Sequence, residues 1–161
     1  MTNNNVAVVV LAAGKGTRME SEIPKVLHNV AGRPMLSHVL DAAATVVPLQ
    51  TIVVMGHGMD SVSEVIGSNL TVTQELQLGT GHAVQQTQSI LSDFKGDVLV
   101  LFADSPLITS GTLKRLVDAR RAAVDPAVVV LGFRPVDPAA YGRLVTDESG
   151  RLEAIVEFHD A

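Results

Sequence analysis

The stretch Val6-Ala7-Val8-Val9-Val10-Leu11-Ala12-Ala13-Gly14-Lys15-Gly16-Thr17-Arg18-Met19 reads as a buried strand running straight into a loop of small residues that carries two cations. An unbroken apolar run of this length, with no polar alternation, suits a strand covered on both faces. Ala12, Ala13, Gly14 and Gly16 carry almost no side chain, so backbone N–H groups in the loop can approach a phosphate closely. Lys15 and Arg18, joined by Lys25 after Pro24, supply charge for a polyphosphate. The stretch implies a nucleotide-phosphate site at the carboxyl end of the first strand.

Two other glycine-rich loops are excluded. The dinucleotide fingerprint G-x-G-x-x-G fails because Met19 stands where its third glycine belongs, and no G-x-x-x-x-G-K-S/T run exists. The chain has 161 residues, 47% of them hydrophobic, which is one ordinary globular domain with a single core. Its net charge of −5 argues against a nucleic-acid surface, which needs a broad basic face. The cations are local instead: four of the twelve, Lys15, Arg18, Lys25 and Arg33, lie close together in the chain. With no cysteine there is no disulfide, thiolate metal site or cysteine nucleophile. The first residues lack a basic signal-peptide region and no apolar run reaches membrane length, so a cytoplasmic location and no membrane partner are expected.

Short apolar runs alternate with helical patterns. Strands are expected near Val6–Leu11, Thr51–Met55, Leu70–Gln74, Asp97–Phe102 and Ala127–Phe133. Between them Met35, Leu36, Val39, Leu40 and Ala43 fall at helical spacing, as do Leu113, Leu116 and Val117 behind a Thr109 or Ser110 cap, and Ala83, Val84, Ile90 and Leu91 more loosely. This order implies an α/β fold, a mostly parallel sheet with helices on both faces, and ligands beyond the carboxyl ends of the strands. The Ala12–Met19 loop, Gly56-His57-Gly58, Gln74–Gly81 and Asp104 all follow strands at that edge. From Asp137 onward the pattern changes to a β-hairpin, Leu144–Thr146 and Leu152–Glu157 around Asp147–Gly150. It is expected to form a wall on the sugar side of the site.

Leu11–Met19, Pro24-Lys-Val-Leu-His28, Ala31-Gly-Arg-Pro-Met35, Gln77-Leu-Gly-Thr-Gly-His-Ala83, Asp104-Ser-Pro-Leu107, Tyr141-Gly-Arg143 and Val156-Glu157 resemble, in order, the sugar-phosphate nucleotidyltransferases. More narrowly they are similar to the N-terminal uridyltransferase domains of bifunctional N-acetylglucosamine-1-phosphate uridyltransferases / glucosamine-1-phosphate acetyltransferases. The resemblance covers residues 1–161 and implies a Rossmann-like three-layer fold. It also implies a reaction: UTP and N-acetylglucosamine 1-phosphate give UDP-N-acetylglucosamine and pyrophosphate, for cell-wall and lipopolysaccharide precursors.

The resemblance assigns roles. Arg18 and Lys15 meet the leaving pyrophosphate, and Lys25 holds the sugar phosphate and the α-phosphate. Asp104, at the end of the Val98–Phe102 run, is one Mg²⁺ ligand, since Mg²⁺ takes few protein oxygens and keeps phosphates and waters. Gln74 and Gln77, with Gly79 and Thr80, form the uracil pocket, because amides can read an imide edge. Leu11, Ala12, Ala13 and Gly14 cover base and ribose through their backbone, while Gly142 and Glu157 contact the amino sugar. The histidines, His28, His38, His57, His82 and His159, show no metal-ligand spacing; His82 caps or packs behind the uracil loop and His28 is structural.

Departures are few. Phe102-Ala103 replaces the family's Tyr-Gly before the metal aspartate, and Glu157-Phe158-His159-Asp160 replaces its Glu-His-Lys-Asp. The family's uridyltransferase domain continues past the position of Ala161 and is followed by an acetyltransferase β-helix. The nucleotidyltransferase domain is therefore expected to be incomplete at its C-terminus, with self-association through the truncated edge. The rival expectations are a CTP- or GTP-using nucleotidyltransferase, and a non-catalytic nucleotide-binding fragment.

Overall fold

The computed structural model describes residues 5–14, 16, 19–56, 59–122, 124 and 126–157. It divides into two units, Met1–Ala127 and Val128–Ala161. In the first, β1 (Val6–Leu11) is a central strand. It pairs in parallel with β4 (Gln50–Gly56) on one side and β6 (Asp97–Phe102) on the other, and β4 pairs in parallel with β5 (Leu70–Gln74), giving the order β5-β4-β1-β6. Val6 through Val10 are fully buried, as the unbroken apolar run predicts. Each Val side chain removed from water contributes roughly 1.5–3 kcal/mol. A short antiparallel pair, β2 (Asn29–Val30) and β3 (Arg33–Pro34), leads into the first long helix.

The helices cover both faces. On one side lie α1 (Met35–Ala44), α2 (Ser63–Ile66) and α5 (Ser110–Arg120), packed on Val6, Val8, Val10, Val53 and Leu101. On the other, α3 (Thr80–Gln85) and α4 (Gln88–Leu91) meet Val9, Ile52 and Val54. Leu36, Val39 and Ala43 of α1 point to the core because they share one face at helical spacing. Pro34 precedes that helix, where its missing N–H costs nothing, and Thr109 caps α5 by accepting from the Thr112 N–H at 3.2 Å. The crossovers from β1 to β4 and β4 to β5 pass over one face, and the return from β5 to β6 passes over the other. That is the arrangement right-handed connections require when the chain reverses direction across a sheet. None of the helices in the described residues is long and apolar enough to cross a membrane.

The expected strand over Ala127–Phe133 does not form. Val128, Val130, Leu131 and Phe133 are exposed, and among the described residues no strand pairs with them. An apolar run becomes a strand only where a neighbouring backbone satisfies its N–H and C=O groups. On β6, Leu101 is buried while Val98, Val100 and Phe102 on the alternate face are exposed.

In the second unit β7 (Arg143–Thr146) and β8 (Leu152–Val156) form the expected antiparallel hairpin, with an irregularity at Val145/Thr146. Asp147 closes the turn. Its Oδ1 accepts from the Ser149 hydroxyl at 2.7 Å and from the N–H groups of Ser149 and Arg151, each at 2.9 Å. The Ser149 hydroxyl first, then the Arg151 N–H, hold the Asp147 carboxyl below the usual carboxylate range. With the folded pKa depressed, this support is complete above the ordinary aspartate pKa and is lost as pH falls through the lower, folded value. A carbon-detected NMR titration should give Asp147 a midpoint below that of a free aspartate, with the Ser149 and Arg151 amides shifting alongside it. An ordinary midpoint would show that the turn does not persist in solution.

Candidate active site

The loop after β1 is held against its neighbours before it reaches any ligand. The Ala12 N–H donates to Val54 O at 2.8 Å, and the Ala103 N–H donates to Leu11 O at 3.0 Å. Gly16 has φ +62, and a Cβ placed on it would lie 2.6 Å from Lys25 Cβ. Only glycine allows both that backbone conformation and that close approach. Lys25 opens a 3-10 turn, Lys25–Leu27, whose Val26 is buried in the core, so the turn is anchored and the lysine stands alongside the loop.

The loop after β5 locks onto the same place. Gln77 Nε2 donates to Ala13 O at 2.6 Å. Gly56, ending β4, lies beneath that contact; a Cβ there would fall 2.9 Å from Ala13 O and 3.2 Å from Gln77 Nε2. Gln74 ends β5 and is only 3% exposed. Its Nε2 lies 3.1 Å from Gly79 O and 3.0 Å from His82 Nδ1. The result is a cavity of about 310 Å³ at the carboxyl ends of the strands. Leu11, Ala12, Ala13 and Gly14 line it from one loop, Gln74, Gln77, Gly79 and Thr80 from the other, and Lys25 and Asp104 complete it. These ten residues are all ones the sequence singles out.

Lys25 and Asp104 are joined directly, Nζ to Oδ2 at 2.6 Å, with side chains 29% and 37% exposed. A pair this open to water is worth about 0.2–1 kcal/mol, so a ligand can separate it at small cost. Among the described residues no group of three His, Cys, Asp or Glu side chains gathers to hold a metal. That donor set does not make an all-protein cage for Ca²⁺ or Zn²⁺. It does fit an Mg²⁺-type cation, which takes one or two carboxylates and completes its shell with phosphate oxygens and waters. Asp104, half-exposed at a strand end, fits the part of that carboxylate.

Lys15 and Arg18 lie outside the described residues, as do His57, Gly58 and Phe158–Asp160. Gly142 and Glu157 are neighbours within the second unit: a Cβ on Gly142 would sit 3.2 Å from Val156 O and 3.5 Å from Glu157 Oε2. Three further residues, Val26, Ala83 and Phe102, also line the cavity. Phe102 is legible in the sequence only as a departure from the family's tyrosine. Its position at the end of β6, on the face opposite buried Leu101, is what turns it toward the cavity. His28 Nε2 lies 3.3 Å from Ile23 O and does not line the cavity, in keeping with a structural histidine.

Residues 8–157 match the family model described as the MobA-like NTP transferase domain. The bifunctional protein GlmU of Rhodospirillum rubrum is 57% identical over 155 residues, which are 96% of this chain and 34% of that protein. The chain thus spans about a third of the length of this curated relative. A structure of UDP-glucose pyrophosphorylase complexed with UDP-glucose aligns with a TM-score of 0.75 at 19% identity, covering 98% of this chain and 71% of that one. Rv0371c from Mycobacterium tuberculosis in complex with manganese aligns with a TM-score of 0.55 at 22% identity, covering 71% and 59%. The structural neighbours share the fold, and the domain match runs from the first strand through the hairpin. The chain belongs to the MobA-like NTP transferase family.

Proposed function

We propose that this domain transfers the uridylyl group of UTP to N-acetylglucosamine 1-phosphate, with Mg²⁺, releasing pyrophosphate and UDP-N-acetylglucosamine for cell-wall and lipopolysaccharide precursors. The observation that carries the reading is one cavity in which an amide-lined wall, Gln74 and Gln77, faces a small-residue loop beside the Lys25–Asp104 pair.

In this reaction a phosphate oxygen of the sugar 1-phosphate attacks the α-phosphorus of UTP. A new P–O bond forms as the bond to the β-phosphate breaks and pyrophosphate leaves. The nucleophile is already anionic at neutral pH, so no side chain must take a proton. The chain's task is to position two anions that repel and to neutralise their charge. Gln77, fixed to Ala13 O, holds the base wall against the phosphate loop. Lys25, released from Asp104, faces the α-phosphate and the sugar phosphate. Lys15 and Arg18 are assigned to the leaving pyrophosphate, and Gly142 and Glu157 to the amino sugar, where the carboxylate accepts from a hydroxyl. Bound Mg²⁺ supplies charge neutralisation on the phosphates, with Asp104 as its protein ligand.

Pyrophosphate release tests the reading. It should require UTP, N-acetylglucosamine 1-phosphate and Mg²⁺ together. Release with CTP or GTP instead would assign the domain to another nucleotidyl transfer. Nucleotide binding without any release would make it a non-catalytic module. Calorimetry supplies a second expected result: UTP binds more tightly than CTP, ATP or GTP, because the buried Gln74 amide, left unpaired by the wrong base, costs roughly 1–3 kcal/mol. Equal affinity for all four would remove the base-pocket assignment.

A further inference from the structure

We propose that Met59 is a positioning residue for the nucleotide cavity: its sulfur takes the Gly56 amide in place of the next carbonyl of the loop after β1, and so keeps that loop parted from β4. The inference rests on the reading of the cavity as a nucleotide site and deepens it.

Strand β4 outruns its pairing with β1. Val54, opposite Leu11, is its last residue in that ladder, while Gly56 still pairs with Gln74 of β5. The Val54 carbonyl faces β1, where it accepts from the Ala12 N–H at 2.8 Å. Backbone direction alternates along a strand, so the Gly56 N–H faces β1 as well, and a continued ladder would give it the Ala12 carbonyl. Among the described residues that bond is not made. Gly56 is buried, and its N–H donates to Met59 Sδ at 3.2 Å instead. A buried N–H needs an acceptor, and a thioether is a weak one. The sulfur is held in place by the rest of the residue. Met59 is 8% exposed in the main core, and its carbonyl accepts from the Val62 N–H at 3.0 Å at the start of a 3-10 turn, Asp60–Val62.

What the sulfur spares is the loop. Ala13 crosses over Gly56, where a Cβ would lie 2.9 Å from Ala13 O and 3.0 Å from Met59 Sδ. Ala13 O is thereby placed to accept from Gln77 Nε2 at 2.6 Å, the contact that joins the two loops of the cavity. One further rung would draw Ala12 against β4 and pull Ala13 from Gln77. Ala12, Ala13 and Gln77 all line the cavity, so that rung would narrow it.

The two arrangements differ by little. A carbonyl is a better acceptor than a thioether, so without the sulfur the Gly56 N–H turns to Ala12 and the ladder closes by one rung. A nucleotide must then break that rung to enter. One net hydrogen bond corresponds to roughly a three- to tenfold change in an equilibrium constant.

Two variants and one coupling test this. Met59→Leu removes the acceptor and keeps an apolar side chain of similar size. Calorimetry with UTP and Mg²⁺ should show its affinity reduced about three- to tenfold. Val62→Ala, at a fully buried position of the same core cluster, should lower the Tm and leave UTP affinity unchanged. Through-hydrogen-bond NMR coupling from the Gly56 nitrogen to the Ala12 carbonyl carbon should be absent in the ligand-free wild type and present in ligand-free Met59→Leu, which a packing role would not produce. Three results would overturn the proposal while leaving uridylyl transfer standing: unchanged UTP affinity in Met59→Leu, weaker affinity without that coupling or matched by Val62→Ala, or the coupling already present in the wild type. A wild-type domain that binds no UTP would overturn the parent reading, and this one with it.

Discussion

Replacing Asp104 with Asn is expected to lower turnover by about 10²–10³-fold, the range seen when one preorganised electrostatic group is removed from a transition state. The substitution keeps size and shape but removes the charge that suits a hard cation. The fold should survive, because Asp104 is half-exposed and its pair with Lys25 is worth about 0.2–1 kcal/mol. The informative measurement is not activity alone. Mn²⁺ titration by electron paramagnetic resonance, with and without UTP, should show nucleotide-dependent metal binding in the wild type and its loss in Asp104→Asn. The pair also predicts that metal alone binds weakly to the wild type, since Lys25 Nζ holds Oδ2 at 2.6 Å and must move aside when phosphates arrive. If nucleotide binding depends on metal equally in both proteins, Asp104 is a turn residue and nothing more.

Ile52→Ala is expected to destabilise the domain by about 2–5 kcal/mol, the range for deleting a buried branched side chain. Ile52 is fully buried in β4, on the face covered by α3 and α4. The cluster there is small: Val9, Ala13, Ile52, Val54 and Ala83 are its buried members. Leu11, Val72, Ile90 and Leu91, partly buried, pack against it from their own strands and helix. Ala13 and Ala83 belong both to this cluster and to the cavity wall, so the loss reaches the site. Urea unfolding followed by circular dichroism (the chain has no tryptophan) should show a lower midpoint at an unchanged slope. Nucleotide affinity should weaken in parallel. A loss under 1 kcal/mol would mean that this face repacks freely.

Much of the site is legible in the sequence because each part of it ends a strand. Leu11 ends β1 with Ala12–Gly14 behind it, Gln74 ends β5 and Asp104 lies two residues past β6, and in a parallel sheet such positions share one edge. The hairpin is legible for a local reason as well, since Asp147 and Gly150 carry turn chemistry on their own. Ala127–Phe133 looks like a strand by the same local signs and is not one. Its apolar run specifies what could be buried, and whether a partner backbone lies alongside is not a property of those residues.

The sequence by itself determined the parallel sheet, the small-residue loop after its first strand and the choice of lysine, carboxylate and amides at the strand ends, because periodicity, glycine and side-chain chemistry act within a few residues. Only the tertiary structure decided which of those groups touch. Lys25 meets Asp104 across 79 positions and Gln77 meets Ala13 across 64. Gly16 and Gly56 are required by neighbours distant or adjacent in the fold, not by a turn alone. Contacts of this kind depend on where the sheet delivers each strand end, and a hydrogen bond has no range beyond that delivery.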